Sequence, residues 1–122
     1  MYRASYLETV EDAGSAGRAR EAIVLGRAIE RLERSAALAP GEPDRIAALR
    51  FVQEVWRFLI ADLANPENAL PGPLKADLVS IGLWIMAESH RLIAGEKDDM
   101  RPLIEIVATV RAGLAAEPEE RA

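Results

Sequence analysis

The 122-residue chain contains no cysteine, which excludes disulfide frameworks, thiolate chemistry and zinc ribbons. It has one histidine, His90, and aromatics make up only 5% of its residues. A catalytic or metal site needs convergent ligands, and a lone histidine beside Glu88, Ser89 and Arg91 near a helix end reads as a surface or capping residue. No P-loop, GxGxxG, HExxH or GxSxG pattern occurs. Glu96, Asp98 and Asp99 lack the spacing and the glycine of a calcium loop, so helix capping is their better reading. No enzyme activity, metal or cofactor is expected. Long apolar runs are missing too. The strongest, Leu78 to Ala87, is interrupted by Ser80 and spans about half of the ~20 residues that a membrane crossing needs. Met1 to Val10 lacks the basic start and apolar run of a signal peptide, so a soluble, cytoplasmic protein is expected. Positive charge is short: 15 basic against 20 acidic residues give 15 − 20 = −5. That balance disfavours broad nucleic-acid binding, though it leaves room for a local basic patch.

What is present points to helices. Half of the residues are apolar, many of them alanine, the best helix former, and β-branched residues are sparse. The length fits one domain with a modest core. Tyr2, Tyr6 and Val10 recur every fourth residue, which predicts a short N-terminal helix or arm over Met1 to Val10. Glu11 to Gly17 reads as a turn, with Asp12 or Ser15 able to cap the helix after it. That helix is expected over Ala16 to Leu38, with Ala22, Leu25, Ile29, Leu32 and Ala36 on one face. Its other face is charged, and Glu30 and Arg34 are an i, i+4 pair in the favoured order. Gly26 either marks a close helix contact or is simply tolerated.

Ala39-Pro40-Gly41-Glu42-Pro43 breaks that helix, and the next is expected from Pro43 to Leu63. Leu49, Val52, Trp56, Leu59 and Leu63 form its stripe. Asn65 and Pro66 stop it, while Pro71 and Pro73 fit at or before the first turn of a third helix, expected from Pro73 to Ile93. That helix is apolar around most of its girth, through Leu74, Leu78, Ile81 and Ile85 on one face and Val79, Leu83 and Met86 on the next, with Trp84 beside them. Such a helix is covered by its neighbours or by a partner, so it reads as the central one. Gly95 fits a C-cap. A last helix is expected from Arg101 to Ala115 on Leu103, Val107, Val110 and Leu114, with a charged, frayed tail over Ala116 to Ala122. The expected fold is therefore all-α: a small bundle of about four main helices plus the short N-terminal element.

Two clusters invite a functional reading. Arg27, Arg31 and Arg34 share a helix face and are candidate RNA contacts, set against the plainer reading of a solvated face paired with Glu30 and Glu33. No aromatic stacking residue sits in that helix, which weakens the RNA reading. Trp56 and Trp84 are either core or the lining of a groove for a partner helix, because tryptophan is enriched among interface anchors. Asn68 most simply holds its turn through the side-chain amide, with a partner contact as the alternative.

The segment from Leu49 to Leu114 resembles the FlaF family, small flagellar biosynthesis regulators of alphaproteobacteria. The likeness is carried by Trp56 with Asp62, by Asn68-Ala69-Leu70-Pro71, by the run from Leu74 to Trp84, and by Arg101 to Ile106 closing with Gly113-Leu114. Tyr6 and the Arg18/Glu21 pair also look like the family's start. The family tends to place asparagine where Val52 and Val107 stand here, which implies an apolar contact in place of a polar one. The resemblance implies no catalysis. It implies binding of flagellin, assistance in its secretion, and an effect on its synthesis alongside the repressor FlbT. Flagellin ends in amphipathic helices, and a helical protein with surplus apolar surface could cover them by helix-in-groove packing. The candidate contacts are Trp56, Leu59 and Leu63, then Asn68, Leu70 and Pro71 in the turn. Leu74, Leu78, Ile81 and Trp84 come next, with Leu103 and Ile104 in the last helix. A regulator acting through flagellin mRNA or FlbT, with the arginine face as its contact, is the alternative. A helical oligomer that buries its own surplus surface is a third.

Overall fold

The protein is described by a computed structural model for the backbone of residues 3–115 and for the side chains of residues 19–114. Four helices succeed one another: α1 (Arg3–Ser35), α2 (Pro43–Ala64), α3 (Gly72–Ile93) and α4 (Arg101–Ala115). Proline sets two of the starts. The chain enters α2 through extended Glu42 (φ −62°, ψ 133°) with Pro43 in the first turn, and enters α3 through Pro71 (φ −58°, ψ 145°) with Pro73 next. Neither N-cap position supplies a side-chain cap. Glycine ends α3 as expected. Gly95 takes φ +79°, its N–H donates to Leu92 O at 3.2 Å, and Glu96 N–H reaches back to Arg91 O at 2.9 Å. These two bonds form a Schellman motif. Asp99 Oδ1 accepts the backbone N–H of Arg101 at 3.0 Å and so caps the start of α4.

The first helix departs from expectation. The turn read over Glu11 to Gly17 is absent, and the short N-terminal helix and its successor are one element, Arg3–Ser35. Gly14 and Gly17 each cost a helix up to ~1 kcal/mol, but they stop it only where the backbone turns left-handed. Ala13, Ala16 and Ala19 around them are strong helix formers, and a helix already nucleated propagates through isolated weak residues. The helix also ends at Ser35 rather than Leu38, whose N–H instead bonds Ser35 O at 3.0 Å. The tail over Ala116 to Ala122, and the side chains of Tyr6 and Arg18, lie outside the described residues.

Connectors over 36–42, 65–71 and 94–100 run the helices up and down. α1 packs against α2 and α4, α2 against α3, and α3 against α4 along the thinnest seam; among the described residues the backbones of the two diagonal pairs stay apart. The centre is filled by Leu25 and Leu32 of α1, Leu49, Val52 and Trp56 of α2, Ile85 and Leu92 of α3, and Leu103 and Val107 of α4, each at most 1% exposed. Burying such a side chain contributes ~2 kcal/mol. Val52 and Val107 are both wholly buried in this cluster. Gly26 marks a close contact: the Arg111 side chain lies across it, and its Nε donates to Ala22 O at 3.2 Å. Glu30 and Arg34 form no ion pair among the described residues.

The most apolar helix is not the central one. In α3 only Gly82, Ile85, Glu88, Ser89 and Leu92 are buried, while Leu74, Leu83 and Trp84 are at least 40% exposed. α2 takes that role, with a buried stripe that runs from Arg45 to Leu63. Apolar girth measures how much surface a helix offers, not how much its neighbours take.

The two ends of the bundle are built differently. Where the 36–42 and 94–100 connectors meet, Arg45 is 1% exposed. Its Nη1 donates to Leu38 O at 3.0 Å and its Nη2 to Asp98 O at 2.7 Å, with Asp98 Oδ1 at 3.2 Å. Nearby, buried Glu88 accepts from Lys97 Nζ at 3.1 and 3.2 Å and from Arg91 Nη1 at 3.4 Å. This end is tied shut. The other end carries only the 65–71 connector.

Candidate functional site

At the untied end, α1 and α2 part around an apolar cavity of about 910 Å³. Its floor is Trp56, Leu59 and Leu63 of α2, Leu78 of α3, and Val110 and Leu114 of α4. Val24 forms the α1 side, and Arg20, Glu21, Glu54, Phe58 and Asp62 stand around the opening. The 65–71 turn closes one end through Asn65, Asn68 and Leu70. The stripe of α2 explains the shape. Leu59 and Leu63 point into the bundle, but Phe58, just before Leu59, is 71% exposed at the mouth. A phenyl ring left in water beside a hollow is the kind of surface that a partner covers.

The turn is rigid. Asn65 Oδ1 accepts Glu67 N–H at 2.9 Å, and Asn68 Oδ1 accepts Leu70 N–H at 3.0 Å. The Asn68 amide also donates from Nδ2 to Asp62 Oδ2 at 3.2 Å, binding the turn to the last turn of α2. Asn68 therefore holds its turn through its side chain, as the sequence suggests. Trp56 is core and floor at once. Gly82 leaves room for its ring, since a Cβ there would lie 3.1 Å from Trp56 Cε3 and 3.0 Å from Ile60. The indole Nε1 is buried with no acceptor among the described residues.

The cavity thus brings together Trp56, Leu59, Leu63, Asn68, Leu70 and Leu78 of the expected contacts. Ile81 and Trp84 lie elsewhere, on a shallower hollow of about 310 Å³ along the α3/α4 seam with Pro102, Glu105, Ile106 and Thr109. Pro71 and Leu74 are exposed outside both hollows, Leu103 is fully buried, and Ile104 packs against the core. Phe58, Val55, Val110 and Glu54 escaped the sequence reading of the site: Phe58 and Val55 sit one position off the α2 stripe, Glu54 is on its polar side, and Val110 reads as core of α4. A phenylalanine flanked by Arg57 and off the stripe was the available signal for Phe58.

Arg27, Arg31 and Arg34 are on α1, with Arg20 further up the same helix. None of the three is in an ion pair among the described residues. Arg31 instead lies over the Phe51 ring, 4.6 Å from its centroid, so the aromatic partner comes from α2 rather than α1. Among the described residues no cluster of histidine, aspartate and glutamate could hold a metal ion, and no helix is long and apolar enough to cross a membrane.

The model of one protein family, described as flagellar protein FlaF, matches residues 2–114. The chain belongs to the FlaF family. The match spans all four helices, so the cavity of this FlaF-family chain is part of the family domain. Neither the curated proteins nor the solved structures give a significant match to it.

Proposed function

We propose that this FlaF-family chain is a non-enzymatic cytoplasmic regulator of flagellar biosynthesis that binds flagellin, acting as its secretion chaperone and coupling its synthesis to export. The observation that carries the reading is the apolar cavity between α1 and α2, with Phe58 standing exposed at its mouth. The flagellar family name and the resemblance support the choice of partner. Helix-in-groove packing suits an unassembled flagellin terminus, whose apolar stripe would otherwise face water. Co-expression pull-down and then calorimetry with the isolated terminal helices of flagellin test it. Stoichiometric binding at about micromolar affinity or tighter is expected. No binding to any flagellin segment by the folded chain would overturn it.

A second reading has its own observation: the line of arginines on α1, with Arg31 stacked on Phe51. It makes the chain a post-transcriptional regulator acting through flagellin mRNA or FlbT. Replacing Arg27 and Arg31 by glutamate should then abolish RNA binding, and unchanged RNA binding removes this version.

A further inference from the structure

The floor of the cavity requires only that its occupant be apolar on one side; the rim specifies more. Glu54, Phe58 and Asp62 stand at i, i+4 and i+8 along α2 and form one edge of the opening, an aromatic ring between two carboxylates. Glu67 of the turn adds a third carboxylate, and among the described residues Arg20 is the one guanidinium that lines the opening. Glu54, Asp62 and Glu67 are exposed and form no ion pair among the described residues. The hydrogen bond from the Asn68 amide leaves the charge of Asp62 in place.

We infer that the occupant of the cavity is an amphipathic helix whose apolar stripe is bordered by lysine or arginine. Eight residues of α2 separate the two carboxylates, about 12 Å along its axis, which is a little over two turns of a partner helix lying alongside. Cations seven or eight residues apart on that helix meet Glu54 and Asp62, while an apolar residue between them covers Phe58. An acidic border is repelled by the same rim, and so is an anionic membrane surface. The inference rests on the docking reading above and adds to it the charge of the docked helix.

Two synthetic peptides of about 18 residues, five turns of helix, test it. They share one leucine stripe; one is bordered by lysine and the other by glutamate. Trp84→Phe leaves Trp56 as the sole tryptophan, so its emission reports on the cavity in the full-length chain. The lysine peptide is expected to bind at least about ten-fold more tightly, with a preference that shrinks as salt is raised. The double variant Glu54→Lys/Glu67→Lys should reverse the order; both sites are exposed and neither side chain is among the hydrogen bonds that hold the turn, so the fold is retained. Equal affinities, or an unaltered order in the reversed variant, overturn the charge assignment while leaving flagellin binding standing. Flagellin capture without binding of either peptide rejects the cavity as a helix groove. A dimer that Phe58→Asp dissolves shows a second copy to be the occupant and overturns the inference as well.

Discussion

The two ends of the bundle solve opposite problems with the same kind of connector. Each has seven-residue loops between helices, 36–42 and 94–100 at one end and 65–71 at the other. At the tied end the loops are joined to one another through side chains. Arg45 bridges Leu38 and Asp98 across 53 residues of sequence, and Lys97 folds back on buried Glu88. At the open end, among the described residues, the loop is bound to itself and to Asp62, so what holds it is local. The difference is one of where polar groups are placed. Charge is buried where the structure must be fixed and left on the rim where apolar surface is uncovered. The polar ties are thereby gathered at one end and the uncovered apolar surface at the other.

That division predicts which substitutions cost stability and which cost binding. The largest effect belongs to Trp56, which serves both core and cavity. Trp56→Ala should destabilise the fold by ~4 kcal/mol in urea denaturation, whereas Trp84→Ala, 40% exposed, should cost under about 1. Equal losses would mean that the core is not centred on α2. At the tied end, Arg45→Ala leaves two loop carbonyls without their donor and a void, for a loss of ~3 kcal/mol. Arg45→Met fills the space but donates nothing, so its smaller loss, ~1–2 kcal/mol, isolates the hydrogen bonds. At the open end Phe58→Ala should leave stability within about 0.5 kcal/mol and weaken partner binding by more than ~1. A Phe58 variant that unfolds the chain would erase the distinction between the ends.

The smallest effect is electrostatic. The Arg101 side chain, bonded to Asp99 at 2.8–3.2 Å, together with the Arg101 backbone N–H, lowers the Asp99 pKa from the ordinary 3.8 to about 2. A carboxylate held below its unfolded value stabilises the fold above that value. Its share is therefore full above about pH 4 and fades as pH falls through 2. The Asp99 carboxyl carbon, monitored by NMR, should titrate with a midpoint near 2; an ordinary midpoint would show that the cap is not formed in solution.

How much of this was written in the sequence depends on what fixes each feature. The bounds of α2, α3 and α4 were legible almost to the residue, because Pro43, Pro71, Pro73 and Gly95 act within a turn of themselves. The stripes of Leu25 and Leu32, Leu49 to Leu63, and Leu103 to Val110 likewise named the core. Gly14 and Gly17 misled, because a glycine-rich stretch allows a turn without requiring one. Arg45 was illegible: in sequence it is an ordinary arginine near a helix start, and its burial is decided by a connector 53 residues away. The cavity was half legible. Its floor tracks the α2 stripe, but its rim is set by how far α1 and α2 part, and no local pattern encodes that distance.

The α1–α4 seam has a consequence in time. It closes the ring between the two most distant parts of the chain; the bond from Arg111 to Ala22 spans 89 residues. Contacts this remote form late, after the neighbouring hairpins have met their smaller loop entropies. Val110 and Leu114 are floor of the cavity, so that part of the floor is laid only when α4 docks. On the docking reading, a chain cut short before α4 lacks part of the cavity floor and should bind its partner more weakly than the full-length chain.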